Sequence, residues 1–406
     1  MAEEEHNLKV LFLTVVAEVI SFGILIPIVP LLFTEPSSSF FMLPDGWSIN
    51  TGYIILGLLV GVYPLGQFVA TPILGEISDI YGRKAVIEIS VFGTILASLI
   101  FAYGIYASSI AILFVSRIFN GLTGGLIAVA QASIADITPP DKKSKNFGLI
   151  GMAFGVGFIL GPFLGGVLSS DLSTYFTSIT PFLFAAALST ASLFYSRAAF
   201  IETSPLESKK IDWKKPATQI RKGLNLPGLK KFYVVNFFYF SGFAFFTTFI
   251  PVYLVQQFNF TQLATGNFFF YIGVLLIFSQ GYLVPKLFSK TAEEKVMPYT
   301  LFLTGLFVFL QPVPSTLIPF IVAVTLFSIN NSITQIALNT IISNKAPDKD
   351  QGLALGTNQS VRSLANAIPS ILSGIAAALF NPASTLTIAG IMIVLTAVIF
   401  KISEMR

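Results

Sequence analysis

Long apolar runs, separated by short polar segments, extend along the whole chain. The first, "LKVLFLTVVAEVISFGILIPIVPLLF" (8–33), exceeds the roughly 20 residues that a helix needs to cross a bilayer. Comparable runs begin near residues 50, 85, 109, 146, 177, 231, 262, 297, 316, 351 and 382. Because lipid offers the backbone no hydrogen-bond partner, each run is predicted to be helical. The pattern predicts an all-α polytopic membrane protein with about twelve transmembrane helices.

The placement of charge agrees with this interpretation. Apolar residues make up 54% of the chain and charged residues only 11%, too few for the surface of a soluble protein. All of the 24 Lys and Arg except Arg117 and Arg362 lie in segments on one predicted side, and none lies in 34–50 or 169–181. The positive-inside rule then predicts cytoplasmic N- and C-termini, in the plasma membrane. The net charge of +4 therefore reflects topology and predicts no nucleic-acid partner.

The residue types that most enzymes and metal sites require are scarce. The chain has no cysteine, and its single histidine, His6, lies in a polar tail. This excludes disulfides, thiolate metal sites and Cys/His or Ser/His catalysis. We therefore expect no enzyme activity, no metal and no cofactor.

A basic linker at 201–230 divides the chain into two six-helix bundles, 1–200 and 231–406. The bundles resemble each other weakly, since "TPPDKK" (138–143) matches "KAPDKD" (345–350) at the offset that also aligns two helix prolines. Two similar halves in the same orientation are typical of transporters that bind substrate between the halves. We expect a monomer whose partners are a small-molecule substrate, protons and membrane lipids.

Charge is concentrated in the stretch "GEISDIYGRK" (75–84). It resembles the G-x-x-x-D-x-x-G-R-K signature between helices 2 and 3 of the major facilitator superfamily, and the resemblance extends over the whole chain. The signature residues are Gly75, Asp79, Gly82, Arg83 and Lys84.

The resemblance implies a cytoplasmic latch built on these residues. Asp79 would cap the start of helix 11 near Gly352, and Arg83 would reach Asp136 at the end of helix 4. Gly75 and Gly82 would permit the tight turn. The matching loop of the second half lacks the acid and the arginine, so the latch is predicted on one side only.

Three further stretches resemble the drug:proton antiporter branch of this family, the tetracycline and multidrug efflux type. "SRIFNGLTGG" (116–125) is similar to its R-x-x-x-G pattern, and Glu18 precedes a G-x-x-x-P-x-x-P sequence in the first span. The antiporter signature on helix 5 is matched by Gly151, Gly155, Gly157, Gly161, Pro162, Gly165 and Gly166. The four-residue spacing of these glycines predicts close helix packing, and the proline predicts a bend.

Three ionisable residues stand alone inside the predicted spans: Glu18, Arg117 and Arg362. A charge at that depth costs about 3 kcal/mol or more, so such residues usually face a cavity and serve function. Glu18 is the only deep acid, which suits a proton carrier. The alternative, a buried structural pair of Glu18 with Arg117 that never titrates, remains open.

Polar side chains also recur on single faces of the predicted helices. Helix 11 carries one such face, helix 10 another and helix 7 a third, and we expect them to line a substrate cavity. The candidates are Asn358, Arg362 and Asn366; Asn331, Gln335 and Asn339; Asn236 and Tyr239; and, more weakly, Gln67 and Gln131.

The function expected is proton-coupled export of amphiphilic or lipophilic small molecules by antiport and alternating access. The acid on helix 1 and the cation on helix 11 predict a preference for neutral, zwitterionic or anionic compounds. The alternatives are an uptake symporter for a sugar or organic acid, a lysolipid translocator, and a transporter-like sensor that moves no substrate.

Overall fold

A computed structural model describes residues 2–139, 143–204, 215–347 and 351–404. The regular elements of these residues are all helical. The first part of the chain forms α1 (Ala2–Gly23), α2 (Leu31–Thr34), α3 (Ile49–Tyr81), α4 (Arg83–Tyr106), α5 (Ile110–Thr123), α6 (Leu126–Ile137), α7 (Lys143–Leu168) and α8 (Thr180–Ala199). The second part forms α9 (Lys215–Leu224), α10 (Lys230–Phe258), α11 (Gln262–Phe278), α12 (Val284–Phe288), α13 (Glu293–Leu310), α14 (Leu317–Lys345), α15 (Gln351–Leu379) and α16 (Pro382–Glu404).

Within the described residues, 11 continuous helical stretches are long and apolar enough to cross a membrane. Two of these stretches combine neighbouring helices: α5 with α6, and α11 with α12 through a π-helical turn at Ser279–Leu283. The predicted ninth span corresponds to α13, which has only 18 residues and begins with the charged Glu293 and Glu294. The prediction of an all-α polytopic membrane protein is confirmed.

The helices separate into two compact units. The first contains Met1–Val29, Val62–Thr218 and Gln262–Phe270, and the second contains Pro30–Gly61, Gln219–Thr261 and Tyr271–Arg406. Most of the chain before the predicted linker is thus in one unit and most of the chain after it in the other. There are two exceptions. Pro30–Gly61, which includes the start of α3, belongs to the second unit, and Gln262–Phe270, the start of α11, belongs to the first.

In the first unit, α1 runs through the centre, with 67% of its span buried. Its valines and leucines pack with those of α4, α6 and α7 in one apolar cluster. The fully or nearly buried members include Leu11, Val15, Val86, Val129 and Ala153.

In the second unit the central position belongs to α10, whose span is 78% buried. Its phenylalanines supply much of the core: Phe232, Phe240 and Phe249 are fully or almost fully buried, and Phe246 packs on Phe327 of α14 at 4.7 Å between ring centroids. The first helix of each predicted half is therefore the central one.

Three glycines of α7 bring its backbone against that of α1. A Cβ added at Gly161 would stand 2.8 Å from the Cα of Gly23 and 2.8 Å from the carbonyl of Ile20. A Cβ added at Gly157 would stand 2.5 Å from the Cβ of Val19, and one at Gly165 would stand 2.5 Å from the carbonyl oxygen of Ile24, the residue that follows α1. The structure therefore has the predicted close helix packing on the face of α7 that meets α1.

The remaining glycines of α7 have other surroundings. Gly166 faces Gly266 of α11, also at backbone distance, and Pro162 lies inside the helix with its ring against Gly23. Gly151 and Gly155 have no neighbouring atom within 4 Å of a built Cβ. The expectation that these two glycines also allow a close helix approach is not met, because they lie on a different part of the helix surface.

We predict that Gly161→Ala destabilises the protein by about 1–3 kcal/mol, the usual cost of overpacking a filled contact. The added methyl group would meet backbone atoms that cannot rotate away. Gly155→Ala is the matched control, since the same methyl group enters open space on the same helix. Thermal unfolding of both variants in detergent measures the difference, and equal stabilities would contradict the contact.

Candidate functional site

The polar centre of the first unit forms around Glu18, in the second half of α1. Its side chain is buried, with 9% exposure. The hydroxyl of Thr94, on α4, lies 3.0 Å from Oε1 and 2.9 Å from Oε2 of the carboxyl group. The same hydroxyl lies 3.4 Å from Oδ1 of Asn120 on α5. A single neutral hydroxyl group therefore provides the direct hydrogen bond to this carboxyl group.

Arg117 is buried nearby, at 5% exposure, one turn before Asn120 on α5. Its guanidinium lies over the ring of Phe101 at 4.7 Å and donates to the hydroxyl of Ser116 at 3.3 Å. Its Nε has no hydrogen-bond partner among the described residues. Arg117 acts on Glu18 through space, but the two side chains do not form an ion pair. The alternative of a direct structural pair is thus not what the geometry shows.

The two glutamines proposed for the cavity differ in their surroundings. Gln67 donates to the hydroxyl of Tyr63 at 2.8 Å and lies 3.4 Å from the carbonyl of Gly124, where the helix is interrupted between α5 and α6. Gln67 therefore satisfies a backbone carbonyl that the break leaves open. Gln131, half-buried on α6, makes no hydrogen bond in the described structure.

In the second unit, polar side chains of α10 meet those of α14 and α15. Asn236 donates its amide to Asn358, and Tyr239 donates its hydroxyl to Asn331; all four side chains are buried. The Oδ1 atom of Asn236 is buried and has no hydrogen-bond partner among the described residues. Four of the predicted cavity residues are thus brought together in one cluster.

The other polar candidates of the second unit lie around this cluster. Arg362 places its guanidinium over the ring of Phe240 at 4.2 Å. Gln335 lies near the hydroxyl of Tyr239 and is half-buried, as is Asn366. Asn339 is exposed and joins none of these contacts.

The charge cluster predicted at 75–84 is centred on Arg83, at the start of α4. Its guanidinium binds Asp79 at 2.6 Å, Asp136 at 2.9 Å and the hydroxyl of Ser78 at 2.6 Å. The contact with Asp136 was expected from the family resemblance. Asp79 was predicted to cap the start of helix 11 near Gly352. Residues 348–350, which precede that helix, lie outside the described part of the chain, so this contact stays a prediction.

The two signature glycines do not share one role. Gly82 has φ +95°, which a residue with a side chain rarely adopts, so it allows the turn between α3 and α4. Gly75 lies inside α3, and the prediction that it permits the turn is wrong. Lys84 donates its Nζ to the carbonyl of Phe200 at 2.9 Å. It does not pair with Glu88, which lies one turn further along α4 in the described structure.

Sequence reasoning did not identify Glu202, which completes this cluster. Its carboxyl group accepts hydrogen bonds from the backbone N–H groups of Arg83, at 2.9 Å, and Lys84, at 3.0 Å, which form the N-terminus of α4. It also accepts hydrogen bonds from the backbone N–H groups of Thr203 and Ser204. A carboxylate at this position satisfies N–H groups that the first helical turn leaves open and complements the helix dipole.

Comparison with known proteins identifies the class. The family model of the Major Facilitator Superfamily matches residues 11–370 and 292–404. The chain belongs to this superfamily and is a multi-pass membrane transporter.

The chain is also similar to individual proteins of known name. The chain is 31% identical over 292 residues to the tetracycline resistance protein, class H, of Pasteurella multocida, covering 71% of this chain and 68% of the relative. It has the fold of the human organic anion transporter MFSD10 (TETRAN), with a TM-score of 0.75, 21% identity and coverage of 98% and 99%. A D-xylose–proton symporter matches with a TM-score of 0.76, 15% identity and coverage of 97% and 96%.

We predict that Glu202→Ala lowers the free energy of unfolding by about 1 kcal/mol, the typical cost of losing a helix cap. The reason is that the N–H groups of Arg83 and Lys84 lose their acceptor. Glu5→Ala serves as control, because Glu5 makes only an exposed pair with Lys9. Thermal unfolding with and without salt measures both variants, and an unchanged midpoint for Glu202→Ala would show that water replaces the cap.

Proposed function

We propose that this transporter exports amphiphilic or lipophilic small molecules in exchange for protons, in the plasma membrane with both termini in the cytoplasm. The observation that carries the proposal is the environment of Glu18: a buried carboxyl group hydrogen-bonded to a hydroxyl, without a directly bonded cation. An ion-paired carboxylate is held in its charged form, whereas one beside neutral groups can exist with or without its proton. Such a group is suited to carry protons.

The relatives support the direction of transport. The tetracycline resistance protein of Pasteurella multocida is by name a resistance protein, which agrees with removal of a compound from the cell. The antiporter-type glycines of α7 support the same choice, since Gly157 and Gly161 pack closely against the helix that carries Glu18 and Gly165 packs against the residue that follows it.

The cluster around Arg83 supports a gating role for the signature "GEISDIYGRK". Arg83 joins α4 to the ends of α3 and α6 through Asp79 and Asp136. A transporter can hold one conformation while such ion pairs are formed and leave it when they break. We propose that these residues act as a cytoplasmic latch.

One observation favours a second candidate, an uptake symporter for a sugar or organic acid. The free Oδ1 of the buried Asn236 is an acceptor that a substrate hydroxyl group could use. The fold is also that of a D-xylose–proton symporter. Transport into proteoliposomes under opposite pH gradients distinguishes the two directions of coupling.

We predict that Glu18→Gln abolishes pH-gradient-driven transport in proteoliposomes but leaves exchange of substrate across the membrane. Glutamine has nearly the same shape but cannot take up a proton. Glu88→Gln is the control, since Glu88 is an acid of α4 without a hydrogen bond or ion pair in the described structure, and it should transport like the parent protein. Uphill transport by Glu18→Gln at the parental rate would make Glu18 a structural residue.

We predict that Arg362→Gln lowers affinity for an anionic amphiphile roughly tenfold, as expected when a charge-assisted hydrogen bond is lost. Arg362→Lys keeps the charge and should lose less. Binding of one anionic and one cationic amphiphile of equal chain length to the purified protein measures the effect. If both ligands bind unchanged to Arg362→Gln, Arg362 serves the helix packing around Phe240 instead.

A further inference from the structure

We propose that Thr94 is a positioning residue that reverses the direction of its hydrogen bond each time Glu18 gains or loses a proton. The inference rests on the proposed role of Glu18 as the proton carrier. It adds a second residue to that site, and one whose own protonation never changes.

The hydroxyl group of Thr94 has more acceptor atoms around it than protons to donate. Four acceptor atoms surround the hydroxyl oxygen of Thr94: the two carboxyl oxygens of Glu18 at 3.0 and 2.9 Å, the carbonyl of Ser90 at 3.3 Å, and Oδ1 of Asn120 at 3.4 Å. A threonine hydroxyl has one proton to donate and two lone pairs that accept. It can therefore satisfy only one of these acceptors at a time.

The charge on Glu18 decides which acceptor receives that proton. When Glu18 is ionised, a hydrogen bond to the charged carboxylate is the strongest one available, so Thr94 donates to it. When Glu18 binds a proton, the carboxyl O–H donates to the hydroxyl oxygen of Thr94. The Thr94 proton then turns about the Cβ–Oγ1 bond to the carbonyl of Ser90, one helical turn earlier on α4.

The two states differ by one proton on Glu18 and by one hydrogen bond. Glu18 gains one proton, and Thr94 keeps its own throughout. In either state the carboxyl group and the hydroxyl group make one hydrogen bond to each other, and only the donor changes. The second bond, to Ser90, is made in the protonated state and released in the ionised state.

Other groups near Glu18 do not provide an equivalent switch. The titratable or charged groups that act on it are Arg117 of α5 and Tyr63 of α3. Tyr63 accepts a hydrogen bond from Gln67, and Arg117 is held over Phe101. On the described parts of α6, α7 and α8, the charged residues lie in the terminal turns. Thr94 is the side chain that makes direct bonds to the carboxyl group.

The test uses infrared difference spectroscopy of the full-length protein, titrated with acid, to follow the C=O band of protonated Glu18. Glu18→Gln identifies that band by its loss. Thr94→Val has nearly the same shape and removes the hydroxyl group, while Thr94→Ser retains it. Ser98→Ala is the control, because Ser98 donates to the backbone of Thr94 and not to Glu18.

We expect Thr94→Val to raise the pH midpoint of the Glu18 band by about one unit, because the ionised form loses its donor. The band of the protonated group should also move to higher frequency, because its O–H loses the hydroxyl acceptor. Thr94→Ser should restore both values, and Ser98→Ala should change neither. Loss of thermal stability alone would move neither the midpoint nor the frequency.

The outcomes separate this inference from the function on which it rests. If no titrating band in the parent protein disappears in Glu18→Gln, Glu18 is not a proton carrier and both proposals fail. If Glu18 titrates but Thr94→Val keeps the parental midpoint, the role of Thr94 is refuted and the proposed function stands. A shifted midpoint with an unchanged band frequency would show that Thr94 donates in one state only, which overturns the reversal.

Discussion

Lipid supplies no hydrogen bonds, so the polar groups within the helices of this chain depend on partners from the same chain. Most hydroxyl groups meet that requirement locally, as Thr14 and Ser21 do by donating to the carbonyl four residues earlier. Interrupted helices need help from a neighbour, as Gln67 gives at Gly124. Departures from the rule occur in both units. Among the described residues, the Nε of Arg117 and the Oδ1 of Asn236 have no hydrogen-bond partner, and buried polar atoms elsewhere, such as those of Gln311, also lack one.

Much of the architecture follows from hydropathy alone. Apolar length predicts the membrane-spanning helices because a backbone in lipid has no other stable form, and this holds for 11 helical stretches of the described chain. It is less successful for α13, where Glu293 and Glu294 occupy the first turn of an 18-residue helix. The exchange of Pro30–Gly61 and Gln262–Phe270 between the two units was not predicted either. Such packing depends on which helix surfaces fit together, which the order of apolar residues does not reveal.

The site was predictable where a charge stands alone and less so where ordinary residues surround it. Glu18 and Arg117 are conspicuous because ionisable groups are rare in such spans. Thr94 is one of many hydroxyl residues, and only its place opposite Glu18 distinguishes it. Glu202 follows the end of α8 and is one acid among several in polar segments. Its role depends on the start of α4 lying beside it, a contact between residues more than a hundred positions apart in sequence.

The contact between α1 and α7 has a mechanical consequence. Where two helices meet through side chains, rotamer changes can absorb a small sliding motion, so the joint is compliant. At Gly161 and Gly23 the helices meet backbone to backbone, and nothing there can rotate to absorb strain. The joint is therefore stiff, and α1 and α7 move as one rigid lever. Displacement in the first unit then has to occur where helices meet through side chains, which can change rotamer as the helices slide.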